Sequence, residues 1–205
     1  SVYDEKDPET AETVILTGIE KADAVLVGCG LGKLRELLCP IVLSSCKKPL
    51  LIDADALNYL SLHPEQVIRA EDHVMTPHEG EMARLLQVEA ADIHEKREES
   101  VLNALQRFSG TMVLKGPGTL VASDGMLKRN PTGNAGMARA GSGDVLSGMT
   151  ASFMAQGLKG FEAACTGVFL HGKAGDLASE RFGKRSMTPF DMTACIPDVL
   201  KAYPA

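Results

Sequence analysis

The sequence predicts an α/β fold in one domain spanning 1–205, a mostly parallel central sheet with helices on both faces. Three observations lead there. Short apolar runs alternate with longer amphipathic segments, the pattern of βαβ units wound around a parallel sheet. Of the 205 residues 44% are hydrophobic and 23% charged, the mix of a chain with a real core. Glycine is plentiful at 20 residues while aromatics make up 4% and Trp is absent, which suits short strand–helix connections better than a base-stacking surface. No internal repeat, low-complexity tract or linker divides the chain.

Strands are expected at Ala24–Val27, Pro49–Ile52, His73–Met75 and Thr111–Leu114. Gly28, Asp53 and Thr76 follow the first three, residues suited to turning out of a strand. Two shorter strands, Thr119–Ala122 and Met126–Arg129, flank Ser123-Asp124-Gly125, and Asp-Gly between such runs is a hairpin signal. Among the helices, Thr76-Pro77-His78-Glu79 reads as a start, with Thr76 as N-cap, Pro77 in the first helical position and Glu79 assigned to capping. Met82, Leu85 and Leu86 give that helix an apolar face. Asp55 is expected to cap a helix over Ala56–Leu60. Val145, Met149 and Phe153 recur every four residues behind a glycine turn, with Leu146 beside them. A further helix is expected from Phe161 to about Arg181, its Ala164, Gly167 and Ala174 allowing close packing, with His171 packed or hydrogen-bonded on that small-residue side.

The formal net charge is −6 and no Lys/Arg-rich run occurs, so nucleic acid binding is disfavoured. Five cysteines (Cys29, Cys39, Cys46, Cys165, Cys195) lie scattered without a C-x-x-C pair, and read as small core residues of a reduced, cytoplasmic protein. No apolar run reaches membrane-spanning length, and Ser1-Val-Tyr-Asp-Glu-Lys-Asp-Pro-Glu-Thr is polar and acidic with no signal-peptide pattern and no initiator Met, as in a processed or cropped product. His63, His73 and His94 have no partners at metal-ligand spacing.

Three glycine-rich turns could approach a ligand. Gly28-Cys29-Gly30-Leu31-Gly32 follows a strand, and Asp53 lies near the distance of a ribose-binding acid, but the glycine spacing is not G-x-G-x-x-G. A tight strand-to-helix turn explains it equally well, and no Walker A sequence exists. Gly141-Ser142-Gly143-Asp144 begins an amphipathic helix after a loop rich in Asn and Gly. Backbone N–H groups at a helix start hold phosphate, and Asp144 in the first turn would then stand beside a phosphoryl group as a proton acceptor, or else merely favour the helix dipole. Lys115-Gly116-Pro117-Gly118-Thr119 lets backbone approach a ligand, or is a tight loop between strands.

Together these runs become recognisable. Gly28-Cys29-Gly30-Leu31-Gly32, Asp53-Ala54-Asp55-Ala56-Leu57-Asn58, Thr76-Pro77-His78-Glu79-Gly80-Glu81-Met82, Leu114-Lys115-Gly116, Asn134-Ala135-Gly136-Met137-Ala138 with Gly141-Ser142-Gly143-Asp144-Val145-Leu146-Ser147-Gly148, and Ala155-Gln156-Gly157 stand in one order. From about Ala22 to Gly175 the chain resembles the ADP- or ATP-dependent NAD(P)H-hydrate dehydratases of the ribokinase-like superfamily. His78 is the discriminator, since kinases of the superfamily usually carry Asn there. The resemblance implies nucleotide-dependent dehydration of the S form of hydrated NADH or NADPH, by phosphorylation of the ring hydroxyl and loss of phosphate. Asp144 is implied as the base, and the Ser142 and Gly143 amides as donors to the moving phosphoryl. Gly30, His78 and Asp144 would contact the hydrate. Lys115, Gly116, Pro117, Gly118, Thr119, Asn134, Ser142 and Gly143 would contact ADP or ATP, and Glu81 would act on Mg²⁺ through water. A small-molecule kinase and a non-catalytic nucleotide-binding fragment are the other readings.

Two departures stand out. Cys29 occupies a position that is usually Pro in the family. A glycine-rich strand–loop–helix unit that family members carry would precede Ser1, so the sheet is expected to lack its first strands. The chain is accordingly expected to work as a homo-oligomer, a tetramer by the resemblance, or with a second chain supplying that unit.

Overall fold

The computed structural model describes residues 8–203; the acidic opening stretch lies, up to Asp7, outside them. Six strands form one sheet in sequential order: β1 (Val25–Val27), β2 (Leu50–Ile52), β3 (His73–Met75), β4 (Thr111–Leu114), β5 (Leu120–Ser123) and β6 (Met126–Arg129). β1 to β4 run parallel, and β4–β5–β6 turn back antiparallel. The register Ser123↔Met126 leaves Asp124-Gly125 as a two-residue hairpin loop, with Gly125 at φ 73°.

The period of two along the strands divides the core. Leu50, Ile52, Met75, Met112 and Leu114 face α2 (Arg35–Ser45), α3 (Ala54–Leu62), α4 (Glu79–Leu86), α5 (Ala90–Glu95) and α6 (Arg97–Phe108) in one apolar cluster. Leu51, Val74, Val113 and Val121 face α7 (Ser142–Ala155) and α8 (Gly160–Phe182) in another. Both faces of β2, β3 and β4 are thus covered, which explains why these segments are almost wholly apolar, His73 and Thr111 being their polar exceptions. Small residues predicted on α8 do allow close approach: a Cβ at Gly167 would stand 2.4 Å from Thr150 Oγ1 on α7. A helix before β1, α1 (Pro8–Lys21), lies against α2, and α9 (Pro189–Ala202) closes on α8 through Met192, Cys195 and Val199.

Among the described residues β1 is the sheet edge opposite β6. Beside it lies an open, apolar cavity of about 390 Å³ that runs from Ile15 and Leu38 to Gly28 and Cys29.

Three expectations need correction. Helix α4 begins at Glu79 with His78 as its N-cap, not at Pro77 with Thr76 as cap. The Thr76 amide donates to Ile52 O (3.1 Å), and Pro77 O accepts from the Lys115 amide (2.8 Å). Neighbouring strands therefore hold this dipeptide extended. Helix α3 begins at Ala54 with Asp53 in the cap position, and Asp55 caps nothing: its Oδ2 accepts the Gly32 amide at 2.8 Å and closes the first glycine turn. Glu79 is likewise no cap; it pairs with Arg97 and His94.

Candidate functional site

The parallel strands all end at one edge of the sheet, where open α/β sheets bind ligands. β1 delivers the Gly28–Gly32 turn there, β2 delivers Asp53, β3 leads to His78, and β4 leads to Lys115. Gly28 is a requirement of this arrangement: at φ 128°, a Cβ would stand 1.7 Å from the Asp53 carbonyl oxygen.

Asp53 is 1% exposed. Its Oδ1 accepts from Lys115 Nζ at 2.8 Å and its Oδ2 from Ser147 Oγ at 2.6 Å, with Cys29 Sγ 3.9 Å away. Asp144, by contrast, is exposed in the first turn of α7. Ligand atoms of Cys29, Asp53 and Asp144 all lie within 4.8 Å of one another. Burial, then the charge of Asp53, and then Asp144 push the Cys29 thiol up to about 12, so it stays a neutral thiol at neutral pH. Cys29 is thus half-buried beside Asp53 and Asp144 at the candidate site, not the core filler the sequence suggested; Cys39, Cys46 and Cys195 are buried in the core as expected.

The start of α7 is built to meet an anion. Gly141 sits at φ 90°, turning the chain so that the Ser142 amide donates to Arg139 O at 3.1 Å. The Ser142 amide is thereby occupied, and the free donors shift by one residue. The amides of Gly143 and Asp144 have no partner among the described residues. Two such N–H groups at the positive end of a 14-residue helix form an anion cradle. Lys115 Nζ adds a full charge, since a Cβ on Gly143 would lie 3.4 Å from it.

The start of α4 stands across from this cradle. His78 Nδ1 accepts from the Gly80 (3.0 Å) and Glu81 (3.2 Å) amides, and Glu81 Oε2 accepts from the His78 amide at 2.8 Å, a reciprocal capping box. With Nδ1 an acceptor, the neutral ring carries its hydrogen on Nε2. Glu81 is buried, and Lys115 Nζ lies 3.6 Å from its Oε2, so the ammonium sits between Asp53 and Glu81.

The remaining predicted contacts divide. Gly30 (φ 67°) has open space around its Cβ position. The loop from Gly116 through Pro117 to Gly118 keeps backbone in the left-handed region at both glycines (φ 137° and 60°). Arg97 supports this loop from behind, donating to Leu114 O at 3.2 Å and Lys115 O at 3.5 Å. Thr119 Oγ1 turns inward to Gly116 O (2.9 Å). Asn134 accepts from the Gly136 amide and donates to Gly175 O and Asp176 Oδ1, each at 2.9–3.0 Å. Both side chains shape loops and are already bonded within the protein.

His171 on α8 is buried as expected, and burial pushes it down to about 4 against a smaller opposing effect of the Ser142 backbone. It therefore packs neutral behind the α7 turn. Sequence reasoning missed Arg97 and Ser147, and gave Asp53 a place at a strand end and a weighed role as a ribose-binding acid, not the position between Lys115 and Ser147. A carboxylate directly after a buried apolar strand was the available signal.

The family model described as NAD(P)H-hydrate dehydratase matches residues 2–198. The bifunctional NAD(P)H-hydrate repair enzyme Nnr of Escherichia coli (strain K12) is 40% identical over 186 residues, 89% of this chain and 35% of that protein. The ADP-dependent (S)-NAD(P)H-hydrate dehydratase of Neisseria meningitidis is 45% identical over 168 residues, 78% of this chain and 57% of that one. The chain thus spans between about a third and somewhat over half the length of these relatives. A crystal structure of ADP/ATP-dependent NAD(P)H-hydrate dehydratase from Bacillus subtilis, co-crystallized with ATP/Mg²⁺ and soaked with CoA, superimposes with a TM-score of 0.78 at 26% identity, covering 92% of this chain and 71% of that one. The fold is ribokinase-like.

Proposed function

The chain belongs to the NAD(P)H-hydrate dehydratase family, and from that premise we propose that this protein dehydrates the S form of hydrated NADH or NADPH, using ADP or ATP to phosphorylate the ring hydroxyl. The observation that carries the reading is the exposed Asp144 carboxylate beside the Lys115 ammonium and two amides without a partner among the described residues.

The chemistry follows from that juxtaposition. Hydroxide is a poor leaving group, whereas a phosphate ester departs readily. Asp144 takes the proton of the ring hydroxyl as its oxygen bonds to the terminal phosphorus and the bond to the leaving nucleotide breaks. The Gly143 and Asp144 amides and Lys115 face the negative charge spread over the moving group. Loss of phosphate, driven by the adjacent ring nitrogen, and of a ring proton restores the dihydropyridine. Gly30 and the Nε2–H of His78 orient the hydrate, and the Gly116–Pro117–Gly118 backbone receives the nucleotide.

Glu81 fits a role toward Mg²⁺ through water: the His78 amide and Lys115 already crowd its buried carboxylate, leaving lone pairs for a metal-bound water. Mg²⁺ bound with the nucleotide supplies neutralisation of phosphate charge. Five free cysteines fit a reducing cytoplasm, and no helix of the described residues is long and apolar enough to cross a membrane. We assign the protein one domain and a homo-oligomeric state, a tetramer by the resemblance.

The deciding assay gives the full-length protein hydrated NADH with Mg²⁺ and either ADP or ATP. Return of the reduced-nicotinamide absorbance with release of phosphate is expected. A stable phosphorylated alcohol would mark a kinase, and no turnover a binding protein.

A further inference from the structure

Asp53 touches three of the four other segments that meet at the site, and no role in the reaction has been given to it. A carboxylate 1% exposed needs strong partners to remain charged. Its partners are not a random selection of neighbours. Lys115 comes from the loop after β4, Ser147 from α7, and Cys29 from the turn after β1. Ser147 lies three residues beyond Asp144, hence on the same side of the helix. A single carboxylate therefore holds both the cation beside the anion cradle and the helix face that carries the base.

An unrestrained lysine has four flexible side-chain bonds, and ordering it costs rotamer freedom. Here the ammonium is already ordered, 2.8 Å from Asp53 and 3.6 Å from Glu81, next to Gly143. Electrostatic catalysis depends on such charges being in place before the transition state forms. We infer that Asp53 is a positioning residue for phosphoryl transfer, fixing Lys115 and the first turn of α7 relative to each other so that the ammonium meets the migrating phosphoryl group. The inference rests on the phosphoryl-transfer reading above, though not on the identity of the phosphoryl acceptor.

The test compares binding of ADP alone with binding of ADP plus aluminium fluoride, a mimic of the phosphoryl group in flight from ATP, and of AMP with and without fluoride, the same mimic for ADP as donor, by calorimetry on the full-length protein with Mg²⁺. The unmodified protein is expected to gain affinity on adding fluoride. Asp53→Asn keeps the shape and an acceptor for Ser147 but removes the charge that holds Lys115. It is expected to bind ADP within about threefold of the unmodified protein while losing about tenfold or more of the fluoride gain, with a matching fall in kcat and little change in nucleotide KM. In Lys115→Met the same gain should vanish, and adding Asp53→Asn to it should cost less than about twofold more. Ser147→Ala leaves the buried charge pair intact, so it reports on the tie to α7 even if Asp53→Asn does not fold; a loss of about three- to tenfold in the fluoride gain is expected. An unchanged gain in Asp53→Asn, additive losses in the double variant, or a Ser147→Ala protein with the full gain would each overturn the inference. Because no hydrated nicotinamide enters the binding experiment, a failed dehydration assay with the fluoride gain intact would remove the substrate assignment and leave this inference standing.

Discussion

Helices α4 and α7 begin at the same edge of the sheet, yet their first turns are finished differently. At α4, His78 and Glu81 satisfy each other's backbone, and the helix start is closed by its own side chains. At α7, the cap is Gly141, which offers no side chain, and the Gly143 and Asp144 amides have no partner among the described residues. The closed start can present a fixed ring, while the open one can receive an anion. Lys115 stands between them, held through Asp53 and Glu81. The difference teaches that a ligand-binding helix start is recognised by what fails to cap it.

The largest expected effect comes from the open start. Asp144→Asn keeps the backbone amide and the shape while removing the proton acceptor. Turnover should fall by about 10²- to 10⁴-fold with nucleotide affinity and folding stability nearly unchanged, since the side chain is exposed. Steady-state kinetics with parallel calorimetry would show it, and an unchanged kcat would remove Asp144 from catalysis.

A second prediction concerns the packing behind that start. Burial holds His171 at about 4, below its ordinary value of 6.5. Between those values the unfolded chain binds a proton that the folded chain refuses, so stability is complete above about pH 6.5 and declines as the pH falls toward 4. The decline contributed by this ring is at most about 3 kcal/mol. Urea unfolding across that range should show the slope, and His171→Leu should reduce it. A slope identical in both proteins would contradict the buried neutral ring.

The smallest effect belongs to the closed start. His78→Ala removes the acceptor for two amides and should cost about 1 kcal/mol of stability, where Asp144→Asn costs almost none. Equal stability of His78→Ala and the unmodified chain would break the contrast between the two helices.

Much of the fold was legible in the sequence because parallel strands buried on both faces are short, mostly apolar and bounded by turn residues. The hairpin at Asp124-Gly125 was legible for the same local reason. Helix starts were less so. Thr76-Pro77-His78-Glu79 and Thr188-Pro189-Phe190-Asp191 have one pattern, but only the second is a cap, with Thr188 and Asp191 bonded reciprocally. Strand neighbours claim Thr76 and Pro77, and that long-range competition leaves no mark on four residues. Helices α1, α5, α6 and α9 went unpredicted; α6 bears an Arg-Glu-Glu start and few large apolar residues, its burial resting on Ser100, Val101 and Ala104. At the candidate site, Asp144, Lys115, His78 and Glu81 were singled out by motif, and Lys115 lies near Asp53, Glu81 and the Gly143 turn. The hub, Asp53, was not, because its partners lie 24, 62 and 94 residues away along the chain.

A crystal structure of the full-length protein with Mg²⁺, aluminium fluoride and the spent nucleotide (ADP where ATP is the donor, AMP where ADP is) tests the central claim most directly. The fluoride group should lie within hydrogen-bond distance of the Gly143 and Asp144 amides and beside Lys115, with the Asp144 carboxylate facing its open side. A fluoride group bound at another edge of the sheet, out of reach of that carboxylate, would contradict it.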